Sequence, residues 1–433
     1  MDDFDPIIGY AEIKDELRQI ADMMRNAPEY EKLGVRLPYG LMLYGSPGVG
    51  KTLMANCLIK ASGRKVFTCR KDKPQDEFIQ NIVNTFEEAA ANVPSIVFLD
   101  DLDKFANTDS DHTYAGEYIS VQSCIDKYKG RDVFVLATVN DIHMLPSSLK
   151  RAGRIDRLIE VPTPNNKDAE LILAHYLAKK KAVSDINIEM LVRLMGGMSC
   201  ASLETIINEA GVYAGYERAD SIGMEHFLKS CLRTMFDVTP QVEYDDDFYC
   251  NGNSKRQQIA VHEAGHVVIS EVLFPGSVTL AAFNDKEGNC GGVTSCFYHD
   301  ETDIRWQKSR VITALGGMAA MEQVFGLAGA GSYKDIRKAS ALLKSMVENE
   351  GVAGFTFIGY GYSSSEEHDH LVETANAVLL NQYFLKAKEI LAKNTDFLSK
   401  VTDKLIQDNV ITMDDIKSLR NTCEMKFIDG DFV

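Results

Sequence analysis

Residues 37–60 read LPYGLMLYGSPGVGKTLMANCLIK. A short apolar run leads into three closely spaced glycines, and TLMANCLIK continues with helical spacing. Strand, glycine-rich loop and helix in that order make a phosphate-binding loop. Gly45, Gly48 and Gly50 let backbone N–H groups turn toward an anion, Lys51 adds a point charge, and Thr52 offers a hydroxyl to Mg2+. The expected ATP contacts along the loop are Pro47, Gly48, Val49, Gly50, Lys51, Thr52 and Leu53.

Further along, KVFTC (65–69), SIVFLDD (95–101) and DVFVLATVN (132–140) read as buried strands with helical segments between them. Continuous apolar strands separated by helices predict a parallel sheet covered on both faces. Asp100, at the end of its strand, is placed to hold the magnesium. Asp101 follows where an acid would orient and activate the attacking water. Asn140 is a polar tip on an apolar strand, suited to the γ-phosphate or to that water. RAGRIDR (151–157) spaces Arg154 and Arg157 so that both could reach an anion, in this subunit or a neighbour's.

A different chemistry stands in the second half, after the polar, turn-rich stretch DVTPQVEYDDDFYCNGNS (237–254). VHEAGHVV (261–268) places His262 and His266 one helical turn apart on one face, so both imidazoles can bind one metal. Glu263 beside them is positioned to take a proton from a zinc-activated water and pass it to the leaving amine. A catalytic zinc also needs a third protein ligand, and spacing alone does not choose among the many downstream acids.

The chain has 433 residues, 45% of them apolar and 25% charged, which fits a globular protein of two or three domains. A formal net charge of −17 argues against nucleic acid as the main partner. The nine cysteines are scattered without a C-x-x-C pair, so a reducing compartment and a cytoplasmic location are expected. MDDFDPIIGY lacks the basic start and apolar core of a signal peptide. The most apolar stretch, residues 311–331, carries Glu322, Gln323 and several glycines. It reads as a buried helix ending in a Gly-rich loop rather than a membrane span.

GSPGVGKT, FLDD, TVN and RAGRIDR, in this order and spacing, resemble the AAA+ ATPases. FDPIIGYAEIKDELRQI (4–20) and GMSCASLETIINEAG (197–211) are similar to the FtsH branch of that family. The resemblance implies a homohexameric ring in which Arg154 and Arg157 reach the ATP of the adjacent subunit. It adds Ile8, Gly9 and, near the adenine, His175 to the nucleotide contacts. Residues 316–347 are similar to the FtsH-type segment whose Asp follows a Gly-rich loop and completes the zinc site; the matching residue is Asp335. The implied architecture is an α/β AAA+ domain over 1–162, a helical lid over 163–237, a linker over 238–254 and a mainly α-helical zinc peptidase domain over 255–433. Zn2+, ATP and Mg2+ are the implied cofactors, and protein chains the implied substrates.

The sequence departs from that family in three places. FtsH proteins usually begin with transmembrane helices, and none is read here; a chain cut from such a protein would belong at the cytoplasmic face of a membrane. The residue after the magnesium aspartate is usually Glu, and here it is Asp101, one methylene shorter. The substrate-gripping loop of the family carries an aromatic–aliphatic–Gly triplet, whereas RKDKPQDEFIQN (70–81) has no glycine. An ungapped match puts Pro74 at the aromatic position, and Phe78-Ile79 is the nearest substitute. Three functions follow: an ATP-driven unfoldase joined to a zinc endopeptidase, a zinc peptidase whose ring ATP only gates or assembles, and a non-proteolytic AAA+ remodelling or scaffold protein.

Overall fold

The structure is a computed structural model that describes residues 2–72, 74–106, 115–184, 186–236, 249–250, 253–286, 289–297, 304–326, 332–354 and 366–427. It packs as two compact units, one formed by 1–183 with 195–208, the other by 184–194 with 209–433. The stretch 163–237 contributes to both. Most of the expected linker, 238–248 with 251–252, lies outside the described residues.

The first unit is built on five parallel strands, β1 (Gly40–Tyr44), β2 (Lys65–Cys69), β3 (Ser95–Leu99), β4 (Val133–Val139) and β5 (Arg157–Glu160), in the order β2-β3-β4-β1-β5. Its helices are α1 (Ala11–Arg25), α2 (Ala27–Glu31), α3 (Lys51–Ser62), α4 (Gln75–Ala91), α5 (Gly116–Lys127) and α6 (Asn166–Ala178). Central strands buried on both faces explain the unbroken apolar runs: Leu41, Met42 and Leu43 of β1 are fully buried, as are Ile96, Val97 and Leu99 of β3. Helix α1 is amphipathic instead, burying Leu17, Ile20, Ala21 and Met24 along one stripe. Two elements differ from the sequence reading. KVFTC forms β2, but at the edge of the sheet; only Cys69 is buried, because an edge strand needs covering on fewer sides. The short strand β5 was not anticipated, since RLIE is four residues long and half charged.

Phe78 belongs to the core. It lies on α4, fully buried, with its ring edge-on to Phe105 at 4.8 Å between centroids. It is therefore no substitute for an exposed substrate-gripping aromatic. Phe78→Ala is expected to destabilise the first unit by about 3–5 kcal/mol, the usual cost of emptying a large buried aromatic site. Denaturant unfolding of the variant against the parent checks this.

The second unit contains α7 (Ile188–Leu194), the latter part of α8 (Cys200–Glu217), α9 (Met224–Phe236), α10 (Lys255–Leu273), α11 (Ile304–Phe325), α12 (Tyr333–Glu350), α13 (Glu366–Lys393), α14 (Thr395–Asp408) and α15 (Met413–Asn421). A short pair, β6 (Tyr249–Cys250) with β7 (Asn253–Ser254), precedes α10. A three-stranded antiparallel sheet, unread in the sequence, joins the helices: β8 (Val278–Lys286), β9 (Asn289–Cys296) and β10 (Val410–Thr412), in the order β10-β8-β9. Helix α10 is buried along almost all of Ala260–Val272. It crosses α11 with backbones in contact: a Cβ on Gly265 would overlap the Gly316 carbonyl, and one on Gly316 would press on Gly265. The run expected as a buried helix is the core of α11. Its Gly-rich continuation, 327–331, lies outside the described residues. No helix among the described residues is long and apolar enough to cross a membrane.

Candidate functional site

In the first unit the strand order brings the nucleotide motifs together. The loop follows β1, Asp100 follows β3 and Asn140 follows β4, and these strands are neighbours. Their carboxyl ends thus present one cluster, the usual place for ligands on an open parallel sheet. Lys51 is buried and donates to the carbonyls of Gly45 (2.7 Å) and Ser46 (2.8 Å) and to Asn140 Oδ1 (2.9 Å). Burial depresses its pKa, against the pull of Asp103 and Asp101. Gly45 and Gly48 both have positive φ, and each is also sterically confined: a Cβ on Gly45 would overlap the Val161 carbonyl, and one on Gly48 would lie 2.8 Å from Ser199 Oγ.

The two acids are held differently. Asp100 Oδ1 accepts from Thr138 Oγ1 at 2.7 Å and from Thr52 Oγ1 at 3.3 Å, so the acid and the hydroxyl expected to hold magnesium face each other. Asp101 adopts a left-handed backbone (φ 55°), which its short polar side chain tolerates. Its carboxylate takes Lys104 Nζ at 2.8 Å and Asn140 Nδ2 at 3.4 Å. Burial works against this charge, but Lys104, Arg70 and Asn140 outweigh it and hold the group below the usual carboxylate range. Arg70 directly follows β2, whose register sets Cys69 beside Leu99. Its guanidinium accordingly reaches both acids, 3.9 Å from Asp100 and 3.6 Å from Asp101.

In the second unit, α10 and α12 bring three metal-type ligands together. His262 Nε2 lies 3.0 Å from Asp335 Oδ2 and 3.2 Å from His266 Nε2, and the three ligand atoms fall within 4.8 Å of one another. Asp335 comes from the first turn of α12. His266 Nδ1 meets the Thr313 carbonyl of α11 at 2.7 Å, which assigns the proton to Nδ1 and leaves the Nε2 lone pair turned toward the other ligands. Burial opposes ionisation of Asp335, yet its contact with His262 Nε2 and the adjoining His266 ring hold it well below the usual carboxylate range. Two imidazole nitrogens and one carboxylate oxygen match the donor set of a catalytic zinc site with a position left for substrate. The residues present fit that ion.

Two family models match the chain: ATPase family associated with various cellular activities (AAA) over residues 41–163, and Peptidase family M41 over residues 250–419. Among curated proteins it is similar to ATP-dependent zinc metalloprotease FtsH 2 of Sphaerobacter thermophilus, 27% identical over 96% of this chain and 66% of that one. The chain belongs to the FtsH-type AAA peptidases. It is likewise 26% identical to ATP-dependent zinc metalloprotease FtsH 1 of Phytoplasma mali, over 96% of this chain and 70% of that one. For ATP-dependent zinc metalloprotease FtsH of Ureaplasma parvum the figures are 27%, 93% and 58%. The chain spans roughly two-thirds of the length of these relatives.

Within this AAA peptidase chain, the remaining nucleotide candidates are placed less directly. Gly9 has φ 72°, and the next amide, Tyr10 N–H, donates to Asp168 Oδ1 at 2.9 Å, tying the Ile8-Gly9 turn to the start of α6. The Tyr10 hydroxyl lies 3.5 Å from Cys200 Sγ, and that sulfur is 3.6 Å from the Val49 carbonyl of the phosphate loop. His175 lies farther along α6, edge-on to Tyr176, and among the described residues no hydrogen bond joins it to the loop. Pro47 lies between Gly45 and Gly48, Leu53 follows Thr52 on the helix, and both are exposed. Arg154 is held by Asp126, Gln122 and the Ser148 carbonyl, and Arg157 by Glu16, so both are paired within their own chain.

Sequence reasoning missed Thr138, Arg70, Thr294, Thr313 and Gly317. Thr138 left one trace, a lone hydroxyl two residues before Asn140 in an otherwise apolar strand. Gly317 is a steric requirement: a Cβ there would overlap the His262 ring. Gly317→Ala is therefore expected to push His262 off its position and weaken zinc binding about 10–100-fold, the range seen when groups supporting a metal ligand are disturbed. Zinc content measured against a competing chelator checks it.

Proposed function

We propose that this chain is an ATP-dependent zinc endopeptidase that assembles as a hexameric ring, unfolds protein substrates and cuts them. The observation that carries this reading is the presence, on one chain, of the Lys51–Asp100–Asn140 cluster and the His262–His266–Asp335 cluster. Zn2+ held by the latter supplies Lewis acidity toward the scissile carbonyl and the attacking water. Glu263, buried beside the ligands, accepts that water's proton on its carboxylate and returns it to the leaving amine. Asp335 would bring one negative charge to a cation otherwise held by two neutral imidazoles. Unfolding a typical domain costs about 5–15 kcal/mol, which peptide hydrolysis does not deliver to a still-folded substrate. Nucleotide turnover at Lys51, Asp100 and Asp101 meets that need. Arg154 and Arg157 then exchange their own-chain partners for a neighbour's nucleotide when the ring forms. The reading places the protein in the cytoplasm or at the cytoplasmic face of a membrane.

The burial of Phe78 favours a second reading, in which ATP gates or assembles the ring and only loose chains are cut. One experiment separates the two: degradation of a permanently unfolded substrate and of a stably folded, tagged one, with ATP, with a non-hydrolysable analogue and with neither. Loss of both substrates only with hydrolysable ATP supports unfolding. Loss of the unfolded substrate alone, equally with the analogue, replaces it with gating.

A further inference from the structure

We propose that strand β9 positions the carboxylate of Glu263, with Thr294 gripping one oxygen and Gly292 clearing space for the other. This rests on Glu263 acting as the base of the peptidase. The Thr294 hydroxyl donates to Glu263 Oε2 at 2.7 Å. Gly292 stands two residues earlier, hence on the same face of the strand. A Cβ there would overlap Glu263 Cγ and Oε1, so only glycine lets the strand come this close. Cys296 continues the same face and lies 3.4 Å from Ser270 Oγ, two helical turns beyond Glu263 on α10. β9 thus runs along one flank of α10 and is registered to it at both ends of that contact. The order β10-β8-β9 puts β9 at the edge of its sheet, where it serves the helix without giving up a second strand partner.

The consequence concerns how the carboxylate is aimed. A glutamate has three rotatable bonds, and a base that samples several rotamers seldom faces the reacting proton. One hydrogen bond to Oε2 removes most of that freedom and leaves Oε1 as the proton acceptor. Thr294 is accordingly a positioning residue, acting through Glu263 and not on the substrate.

The test uses the full chain loaded with zinc and an unstructured peptide, comparing Thr294→Val, Thr294→Ser, Gly292→Ala and Glu263→Gln. Thr294→Val keeps the shape and removes the donor. Its kcat is expected to fall about tenfold, as befits loss of one hydrogen bond to a charged group. KM should stay within about twofold and zinc content should be unchanged. Thr294→Ser restores the hydroxyl and should recover at least about half of kcat. Gly292→Ala should lower kcat with zinc retained. The proposal is overturned if Thr294→Val turns over within twofold of the parent, if Ser is as damaging as Val, or if the loss follows zinc content. Should Thr294→Val fail to fold, normal kcat in Gly292→Ala overturns it independently. Persistent cleavage by Glu263→Gln would instead remove the underlying assignment of the base, an outcome the other variants do not mimic.

Discussion

Glu263→Gln is expected to lower peptide cleavage by about 10²–10⁴-fold, the contribution typical of a positioned general base. The substitution keeps the side chain's length and its hydrogen bond from Thr294, since an amide oxygen accepts as a carboxylate oxygen does. It removes only the capacity to take a proton. His262, His266 and Asp335 are untouched, so zinc content should equal the parent's. ATP hydrolysis should persist, because the nucleotide residues belong to the other unit. Cleavage of a fluorogenic peptide, phosphate release and zinc content measured on one preparation check all three. Substantial proteolysis by the variant would assign the base elsewhere.

Lys51→Ala should do the reverse. Lys51 is the buried cation of the phosphate loop, and its ammonium now sits on the Gly45 and Ser46 carbonyls and on Asn140. These contacts hold it at the mouth of the loop, where ATP phosphates are expected to replace the carbonyl oxygens as its partners. Removing a preorganised donor of this kind costs about 10²–10³-fold in turnover, so phosphate release should fall by that factor. Degradation of a folded, tagged substrate should fall with it. Zinc content should be normal. If folded-substrate degradation survives without measurable ATP turnover, nucleotide hydrolysis does not drive unfolding.

What the sequence revealed depended on how local each feature is. The phosphate loop and the H-E-x-x-H pair are contiguous, and one element, a loop entering a helix or a single helical turn, positions every residue in them. Asp335 lies 73 residues from His262 and was named only through resemblance; nothing in its own surroundings marks a ligand. Thr294 and Gly292 depend on which face of β9 meets α10, which a short polar strand does not reveal in sequence. Apolar KVFTC could not announce itself as an edge strand, because pattern reports composition and not neighbours. Phe78 illustrates the opposite limit. Its place near the expected gripping loop suggested a role, and its packing against Phe105 assigns it to the core.

The partner of His266 is the carbonyl of Thr313, an atom every residue type carries. Replacing the Thr313 side chain leaves that acceptor in place as long as α11 keeps its course. The helices are registered where Gly265 meets Gly316, at a contact too close to admit a Cβ on either glycine. The orientation of this imidazole is therefore insulated from change at position 313 and exposed at the two glycines, because a backbone atom and not a side chain encodes it. The same insulation works against the engineer. A library of substitutions at position 313 would search without reward for altered zinc affinity, while positions 265, 316 and 317 offer the few handles that reach the metal.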